Sequence, residues 1–389
     1  MALRENNKIY YSYKDVTILP SIISNIEHRS SCNPYYDNGL LPLFTSPMDT
    51  VVGEENFSSF YNESIVPILP RTIDVNKRLK NSTDGKWSAY SLSEFERLFC
   101  NGLNVIQSDS IFALIDVANG HMSKILDVSR RAKNLYGDKI TIMAGNIANP
   151  QTYIQYAEAG IDYCRCGIGG GNCCITATQL GIFCPMATLI SDIYNIKKFL
   201  LSQGKKKLPK IVADGGVRNY DDIIKALALG ADYVMCGSIF SKMMESSAPK
   251  FLGKDSKVRL RFPIERYKNL KFDGSNWVGN YTDEFLAELE SKGVKKDDNA
   301  QIVIGKVKSM YYGMASERGQ IALNGSKTKT SEGNMKLLDV TYTMHGWSTN
   351  FKDYLRSAMS YIGCTRINDI AECSEVIINS KNASESINK

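Results

Sequence analysis

The sequence has few of the features that mark a zinc protein or a secreted, disulfide-rich protein. It contains three histidines among 389 residues, and no two of them are spaced as H-x3-H. Of its ten cysteines, Cys164 and Cys166 are separated by one residue and Cys173 and Cys174 by none, so neither pair has the C-x2-C spacing of a zinc site. Residues 1–14 carry charges throughout and lack the apolar segment of a signal peptide. We therefore expect a cytoplasmic protein with free thiols and no structural zinc.

A membrane span and a nucleic-acid surface are also missing. Residues 166–191 carry no charge, but glycines 169–171 and Pro185 would break a membrane helix there. The 47 basic and 41 acidic residues leave a net charge of +6, and the short lysine run 205–207 has no interleaved aromatic residues. We expect no membrane and no nucleic-acid partner, and the mild positive charge suits an anionic small molecule.

Short apolar runs alternate with helical patterns along most of the chain. The runs are often β-branched and mostly do not alternate with polar residues, which is typical of parallel strands buried on both faces. Eight such strands with intervening helices predict an α/β fold, a (β/α)8 TIM barrel. The predicted strands are residues 41–45, 65–69, 112–117, 140–144, 163–168, 211–213, 233–236 and 310–312.

Two segments fit this alternation poorly. Residues 75–104 are polar with scattered aromatics, and residues 246–306 are long and rich in Lys, Asp and Glu. We predict that both are insertions at the barrel rim, within a single catalytic domain that spans residues 1–370. Residues 371–389 end in Ser, Asn and Lys and are predicted to be a C-terminal tail.

The loop after the fifth predicted strand carries the sharpest chemical signal. Residues 167–171 include four glycines, which allow a backbone to approach a ligand closely or to turn its carbonyls inward. A cysteine directly after such a loop is a candidate nucleophile, and Thr176 could move a proton beside it. The other interpretation is a flexible loop with a buried thiol. The spacing does not decide between Cys173 and Cys174.

Two later turns resemble a cradle for a phosphorylated ligand. Asp214, Gly215 and Gly216 follow one strand, and Gly237 and Ser238 follow the next. Glycine amides and a hydroxyl can donate to phosphate oxygens, and an aspartate can accept hydrogen bonds from ribose hydroxyls. Ordinary barrel turns are the alternative. By the same reasoning, Asp116 could hold a second ribose or cap a loop, whereas Glu332 is by composition an ordinary surface residue.

Taken together, these segments resemble the IMP dehydrogenase/GMP reductase family from about Tyr13 to Gly363. The resemblance aligns the family nucleophile with Cys174 rather than Cys173. The motifs in family order are Tyr13-Lys14-Asp15-Val16 with Leu19-Pro20, Pro47-Met48-Asp49-Thr50-Val51, the glycine-rich loop ending in Cys174-Ile175-Thr176, Ala213-Asp214-Gly215-Gly216, and Tyr312-Gly313-Met314.

Within the family, the sequence is more similar to GMP reductase. Residues 116–120, 143–146 and 167–169 resemble that branch. The dehydrogenase branch implies an Arg-Tyr pair on a flap that hydrolyses the intermediate, but residues 313–332 are short and contain no such pair, and Arg266-Tyr267 lies in the insertion. The dehydrogenases also usually carry a CBS module, for which this chain leaves no room after its second strand.

The resemblance implies conversion of GMP to IMP and ammonia with NADPH, through a thioimidate on Cys174 with Thr176 and Glu332 as the proton-transfer pair. It further implies a homotetramer and a potassium ion held by the carbonyls of Gly169, Gly171 and Cys174. The substrate residues would be Ser46, Met48, Asp214, Gly215, Gly216, Gly237, Ser238, Gly313, Met314, Ala315, Lys329 and Gly333. The cofactor residues would be Arg71, Asp116, Val117, Ala118, Ile168 and Gly169.

Several positions depart from the GMP reductase pattern. Arg71 replaces a lysine, Lys329 and Ala177 replace arginines, and Gly170 and Asn172 replace proline and serine. The alternatives are therefore an IMP dehydrogenase that converts IMP to XMP with NAD, a related enzyme that takes a deoxy or modified purine nucleotide, a non-catalytic purine-nucleotide-binding barrel and a flavin-binding barrel.

Overall fold

A computed structural model describes residues 9–102, 106–171, 173–253, 260–294, 301–328, 330–380 and 383–385. After a short first strand, β1 (Val16–Leu19), eight parallel strands form one sheet with neighbours in the order β2-β9-β8-β7-β6-β5-β4-β3. These are β2 (Leu43–Thr45), β3 (Ile68–Leu69), β4 (Trp87–Tyr90), β5 (Ile111–Asp116), β6 (Ile140–Ile147), β7 (Tyr163–Cys166), β8 (Lys210–Asp214) and β9 (Tyr233–Cys236).

The ends of this sheet meet, so the eight strands form a barrel. The Thr45 N–H donates to the Val66 carbonyl at 2.9 Å, and the Val66 N–H donates to the Leu43 carbonyl at 3.0 Å, which joins β2 to the residues just before β3. With helices between the strands, the predicted (β/α)8 TIM barrel is confirmed.

The helices lie mainly between the barrel strands, and several begin at residues that favour a helix start. Ser91, for example, accepts a hydrogen bond from the N–H of Glu94, whose carboxylate accepts one from the N–H of Ser91. Within the described ranges, no helix is both long enough and apolar enough to cross a membrane. The helices are α1 (Phe57–Asn62), α2 (Val75–Thr83), α3 (Leu92–Phe99), α4 (Ser123–Tyr136), α5 (Thr152–Glu158), α6 (Thr176–Leu180), α7 (Met186–Ser202), α8 (Tyr220–Ala228), α9 (Ser238–Ser241), α10 (Asp283–Ser291), α11 (Glu317–Asn324), α12 (Met344–Tyr361) and α13 (Ile370–Cys373).

The connection from β9 to α12 forms a long excursion with two antiparallel sheets. A small apolar core that includes Met244, Phe262 and Trp277 lies beneath them, and the Trp277 indole donates to the Val340 carbonyl at 2.7 Å. The strands are β10 (Lys250–Leu252), β11 (Leu260–Arg261), β12 (Tyr267–Phe272), β13 (Trp277–Tyr281), β14 (Ile302–Gly305), β15 (Val307–Tyr312) and β16 (Met335–Asp339), in sheets of order β11-β10-β15-β16 and β12-β13-β14.

Two sequence predictions about the strands were wrong. Residues 310–312 are part of β15, in an antiparallel sheet, and not of the barrel. The missing barrel strand is β4, which lies within residues 75–104, the segment predicted to be a rim insertion. All four side chains of β4 are buried, but Trp-Ser-Ala-Tyr has no β-branched residue to mark it as a strand.

Part of the predicted tail at residues 371–389 forms regular secondary structure. Strand β17 (Glu375–Ile378) pairs antiparallel with β1, with Val16 opposite Ile378 and Leu19 opposite Glu375. This pairing joins a strand near the start of the chain to one near its end.

The barrel interior is filled by aromatic side chains near the amino ends of the strands. Phe44 lies with its ring centroid 5.7 Å from that of Trp87, 5.9 Å from that of Tyr163 and 4.8 Å from that of Tyr233. These rings pack the amino end of the barrel interior, whereas the βα loops, which carry the sites of barrel enzymes, begin at the carboxyl ends of the strands.

Candidate functional site

A cavity opens at the carboxyl ends of the barrel strands, and we call it the central cavity. Its walls are the turns that follow the strands, together with part of the excursion. It is lined by Ser46, Met48, Arg165, Gly171, Cys173, Cys174, Asp214, Gly215, Gly216, Val217, Met235, Gly237, Ser238, Tyr311, Gly313, Met314, Ala315, Glu332 and Gly333.

The two adjacent cysteines of the glycine-rich loop have different surroundings. Cys174 is half-buried, and its Sγ lies 3.2 Å from the Thr176 hydroxyl oxygen, close enough to donate a hydrogen bond. Cys173 is buried with its Sγ 3.7 Å from the Tyr311 carbonyl oxygen, and burial raises the pKa of its thiol to about 11. Cys174 is therefore the better placed of the two to act as a nucleophile in the cavity.

The backbone around Glu332 is bound directly to the cysteine loop. The Ile175 N–H donates to the Glu332 carbonyl at 3.2 Å, and the Asn334 N–H donates to the Cys173 carbonyl at 2.9 Å. These contacts bring a residue more than 150 positions away into the same cavity as Cys174. No local sequence signal distinguishes Glu332, because its place depends on pairing between distant segments.

Two glycines show why the turns around this cavity require that residue type. Gly167, which opens the cysteine loop, has a φ of +134°, and an added Cβ would lie 1.9 Å from the Asp214 carbonyl oxygen. At Gly237 a Cβ would lie 2.7 Å from the Tyr311 hydroxyl oxygen and 3.1 Å from the Ser46 hydroxyl oxygen. Neither position has space for a side chain, because the turns around the cavity pack closely against each other.

A second cavity, the side cavity, adjoins the first and shares Met48, Arg165, Met314 and Ala315 with it. In this cavity the buried Nε of Arg71 has no hydrogen-bond partner among the described residues, which leaves a donor for a bound molecule. Its other lining residues are Pro47, Asp116, Val117, Ala118, Asn146, Gln320, Leu323, Asn324 and Thr328.

The structure does not bring every predicted cofactor residue to the side cavity. Arg71, Asp116, Val117 and Ala118 line it, but Gly169 lines a different cavity, beside Tyr13 and Phe183, and Ile168 is not among the lining residues. Of the predicted substrate residues, all but Lys329 line the central cavity. Lys329 lies outside the described residues.

Arg165 and Asn146 are two site residues that the sequence analysis missed. An Arg165 terminal nitrogen donates to Asp116 at 2.6 Å, its Nε donates to Asp214 at 2.9 Å, and the Asn146 amide donates to the same Asp214 oxygen at 2.7 Å. Burial alone would lower the pKa of Arg165, but the two carboxylates outweigh it and raise that pKa. A signal was present, because an arginine within the buried strand β7 needs acidic partners.

The predicted cation ligands are backbone carbonyls of the glycine-rich loop. In the described part of the chain, no three His, Cys, Asp or Glu side chains are grouped to hold a metal ion. A cation at Gly169, Gly171 and Cys174 would therefore depend on neutral backbone carbonyls, a donor set that suits a monovalent ion better than a divalent one. Gly169 has a φ of +81°, and the Gly171 carbonyl accepts from the Cys174 N–H at 3.0 Å while keeping a second lone pair.

Comparison with known proteins gives one family model, the IMP dehydrogenase / GMP reductase domain, which matches residues 10–262. This match includes the barrel strands and Cys174. Glu332 and residues 313–315 lie beyond it, so their place at the site rests on the geometry above.

Relatives of this chain carry two different names. It is 27% identical over 257 residues to the inosine-5'-monophosphate dehydrogenase of Borreliella burgdorferi, which covers 66% of this chain and 52% of that protein. It is 28% identical over 284 residues to the enzyme of the same name from Chlorobaculum tepidum, covering 73% and 47%. It is also 28% identical over 248 residues to the GMP reductase of Staphylococcus epidermidis, covering 61% and 72%. The chain thus spans about half the length of these dehydrogenases.

Proposed function

Because the chain belongs to the IMP dehydrogenase/GMP reductase family, we propose that it is a GMP reductase, which converts GMP to IMP and ammonia with NADPH. The observation that carries the proposal is the Cys174 thiol, which lines the central cavity at the carboxyl ends of the strands and lies 3.2 Å from the Thr176 hydroxyl. Glu332 lines the same cavity.

The reductase is favoured over the dehydrogenase by the position of the Arg-Tyr pair. The dehydrogenase branch would need such a pair at the site to hydrolyse the intermediate. In this chain the Arg266 guanidinium lies 4.7 Å from the Phe285 ring centroid, and the Tyr267 ring stacks on Phe262 at 5.5 Å. Both contacts are within the excursion, and neither residue lines the central cavity.

In this reaction Cys174 Sγ forms a bond to C2 of the purine, and the bond from C2 to the exocyclic nitrogen breaks. The thiol proton passes through Thr176, with Glu332 as the partner acid and base, to the departing amine, which leaves as ammonia. Bound NADPH supplies the hydride that C2 then takes up. The C2–S bond breaks, IMP leaves, and the Cys174 thiolate takes a proton from solvent.

The remaining site residues have binding roles in this proposal. Turn glycines and Ser238 in the central cavity would contact the phosphate, and Asp214 would accept from the ribose hydroxyls. The side cavity would take the nicotinamide cofactor, with the unpartnered Arg71 Nε as one of its donors. A potassium ion on the carbonyls of Gly169, Gly171 and Cys174, cofactor contacts of Ile168, the homotetramer and the cytoplasmic location stay predictions from the resemblance.

The test is a pair of assays on the purified protein, one with GMP and NADPH and the other with IMP and NAD⁺. We expect GMP-dependent loss of NADPH absorbance and release of ammonia in the first. NADH formation from IMP, without NADPH loss in the presence of GMP, would overturn the proposal in favour of an IMP dehydrogenase. Binding of GMP without turnover in either assay would instead indicate a non-catalytic barrel.

A further inference from the structure

Arg165 is one of the four residues that line both cavities of the site. Arg165 lies between Asp214, which lines the central cavity, and Asp116, which lines the side cavity. Its Nε and one terminal nitrogen bind the two carboxylates at 2.9 Å and 2.6 Å, so a single guanidinium joins them. Only 10% of the Arg165 side chain is exposed, and 15% of each aspartate side chain.

Each aspartate still has an oxygen available for a ligand. Asp214 uses Oδ2 for both Arg165 and Asn146, and its Oδ1 accepts no hydrogen bond among the described residues. Asp116 uses Oδ1 for Arg165, while its Oδ2 lies 4.0 Å from a terminal nitrogen of Arg71. A ligand hydroxyl that donates to the second oxygen of either aspartate therefore binds a carboxylate whose first oxygen already accepts from Arg165.

We propose that Arg165 is a positioning residue that couples the affinity of the central cavity for the purine nucleotide to that of the side cavity for the nicotinamide cofactor. This inference rests on the proposed function, which assigns one ligand to each cavity. Coupling between two binding sites is reciprocal, so each ligand changes the affinity of the other by the same factor.

The expected sign of the coupling is positive. In the structure Arg165 already binds both aspartates, and a ligand on either aspartate restricts the remaining motion of this long side chain. The first ligand fixes one aspartate and, through the guanidinium, orders the other, so the second ligand has less ordering to complete. Arg165→Lys keeps the charge, but an ammonium lacks the planar fork that binds two carboxylates from two separate nitrogens.

The experiment is titration calorimetry on the full chain carrying Cys174→Ala, which cannot form the covalent intermediate. GMP is titrated with and without saturating NADP⁺, and IMP with and without NAD⁺. We expect the second ligand to raise nucleotide affinity by about 5-fold or more in this background. With Arg165→Lys added, the factor should fall close to one, and the matched control Arg131→Lys, on the exposed face of α4, should leave it unchanged.

The possible outcomes separate the inference from the proposed function. If Arg165→Lys weakens both ligands but leaves the factor unchanged, Arg165 has only a structural role and the inference is wrong. If Arg165→Lys does not fold, Asp116→Ala removes the group that Arg165 binds on the side-cavity face, and an unchanged factor in that variant also overturns the inference. If neither nucleotide binds the Cys174→Ala protein, the proposed function fails, and the inference fails with it.

Discussion

Neighbouring residues of one type acquire different chemistry when only one of them is buried. Cys173 and Cys174 are adjacent, but the Cys173 thiol lies against the Tyr311 carbonyl of the excursion, whereas the Cys174 thiol lies beside the Thr176 hydroxyl. Burial disfavours the thiolate, which is the reactive form, and so protects Cys173 from electrophiles.

This difference predicts selective alkylation. With iodoacetamide near pH 8, Cys174 should be labelled before Cys173. The pKa of Cys173 is about 11, so only about one part in a thousand of this thiol is ionised at pH 8. Labelling of Cys173 should rise as the pH approaches 11. Peptide mapping by mass spectrometry measures both rates, with Cys174→Ala as the control for labelling at the neighbouring site. Faster labelling of Cys173 at pH 8 would contradict the assignment of the nucleophile.

Lys250 is a second residue whose burial changes its ionisation. Its ammonium donates to the Ser246 carbonyl at 2.6 Å, the Ser246 hydroxyl at 2.8 Å and the Ala248 carbonyl at 2.9 Å. Burial lowers its pKa to about 7, although the nearby carboxylates of Glu245 and Glu55 favour the charged form.

The pKa of Lys250 is lower in the folded chain than in the unfolded chain. At a pH between these two pKa values, Lys250 is therefore protonated in the unfolded chain and neutral in the folded chain. The free energy of unfolding should therefore rise, as far as this residue contributes, by about 3 kcal/mol from about pH 7 to about pH 10. Lys250→Met should lack this increment. Urea denaturation of both proteins at the two pH values measures the difference, and equal pH dependence would show that Lys250 does not titrate in this range.

At the scale of elements, the excursion depends on one tryptophan. Trp277 in β13 is fully buried in the small core and is hydrogen-bonded to Val340, which follows β16. It thereby connects the three-stranded sheet to the four-stranded sheet that carries Tyr311 and Gly313 to the cavity.

Trp277→Ala should lower the free energy of unfolding by about 3–5 kcal/mol, because it leaves a cavity and an unpaired carbonyl. Trp277→Phe keeps most of the apolar contact and should cost less. Urea unfolding monitored by far-UV circular dichroism compares the two variants. The same loss in both would mean that the indole hydrogen bond and ring volume do not determine the stability of the excursion.

At the scale of the whole molecule, the aromatic filling of the barrel is expected to dominate stability, since it joins strands that are distant in sequence. Phe44→Ala should cost about 3–5 kcal/mol, because Phe44 packs against rings from β4, β7 and β9. Phe199→Ala is the matched control and should change stability by less than about 0.5 kcal/mol, because Phe199 is 62% exposed on α7. Chemical denaturation checks both, and similar losses would contradict this account of the core.

The chain's amino-acid order alone predicted the barrel fold and seven of its eight strands, and it placed several polar residues at one end of that barrel. Parallel strands place their carboxyl ends at one face, so residues such as Asp116 and Asp214, directly after apolar runs, had to lie at the same end of the barrel. The glycine-rich loop narrowed the proposed nucleophile to two adjacent cysteines, and the resemblance to a family selected Cys174.

Other features depended on contacts between distant segments, which no local pattern records. Strand β4 is a strand because its neighbours supply its hydrogen bonds and bury its Trp and Tyr rings, whereas residues 310–312 joined another sheet for the same reason. Glu332 reaches the central cavity only because its backbone pairs with the cysteine loop. Arg165 links the two cavities only because the barrel strands bring Asp116 and Asp214 to either side of it. Local sequence thus determined which residues could act, and tertiary packing decided which of them meet, because burial and long-range hydrogen bonds are properties of the folded chain.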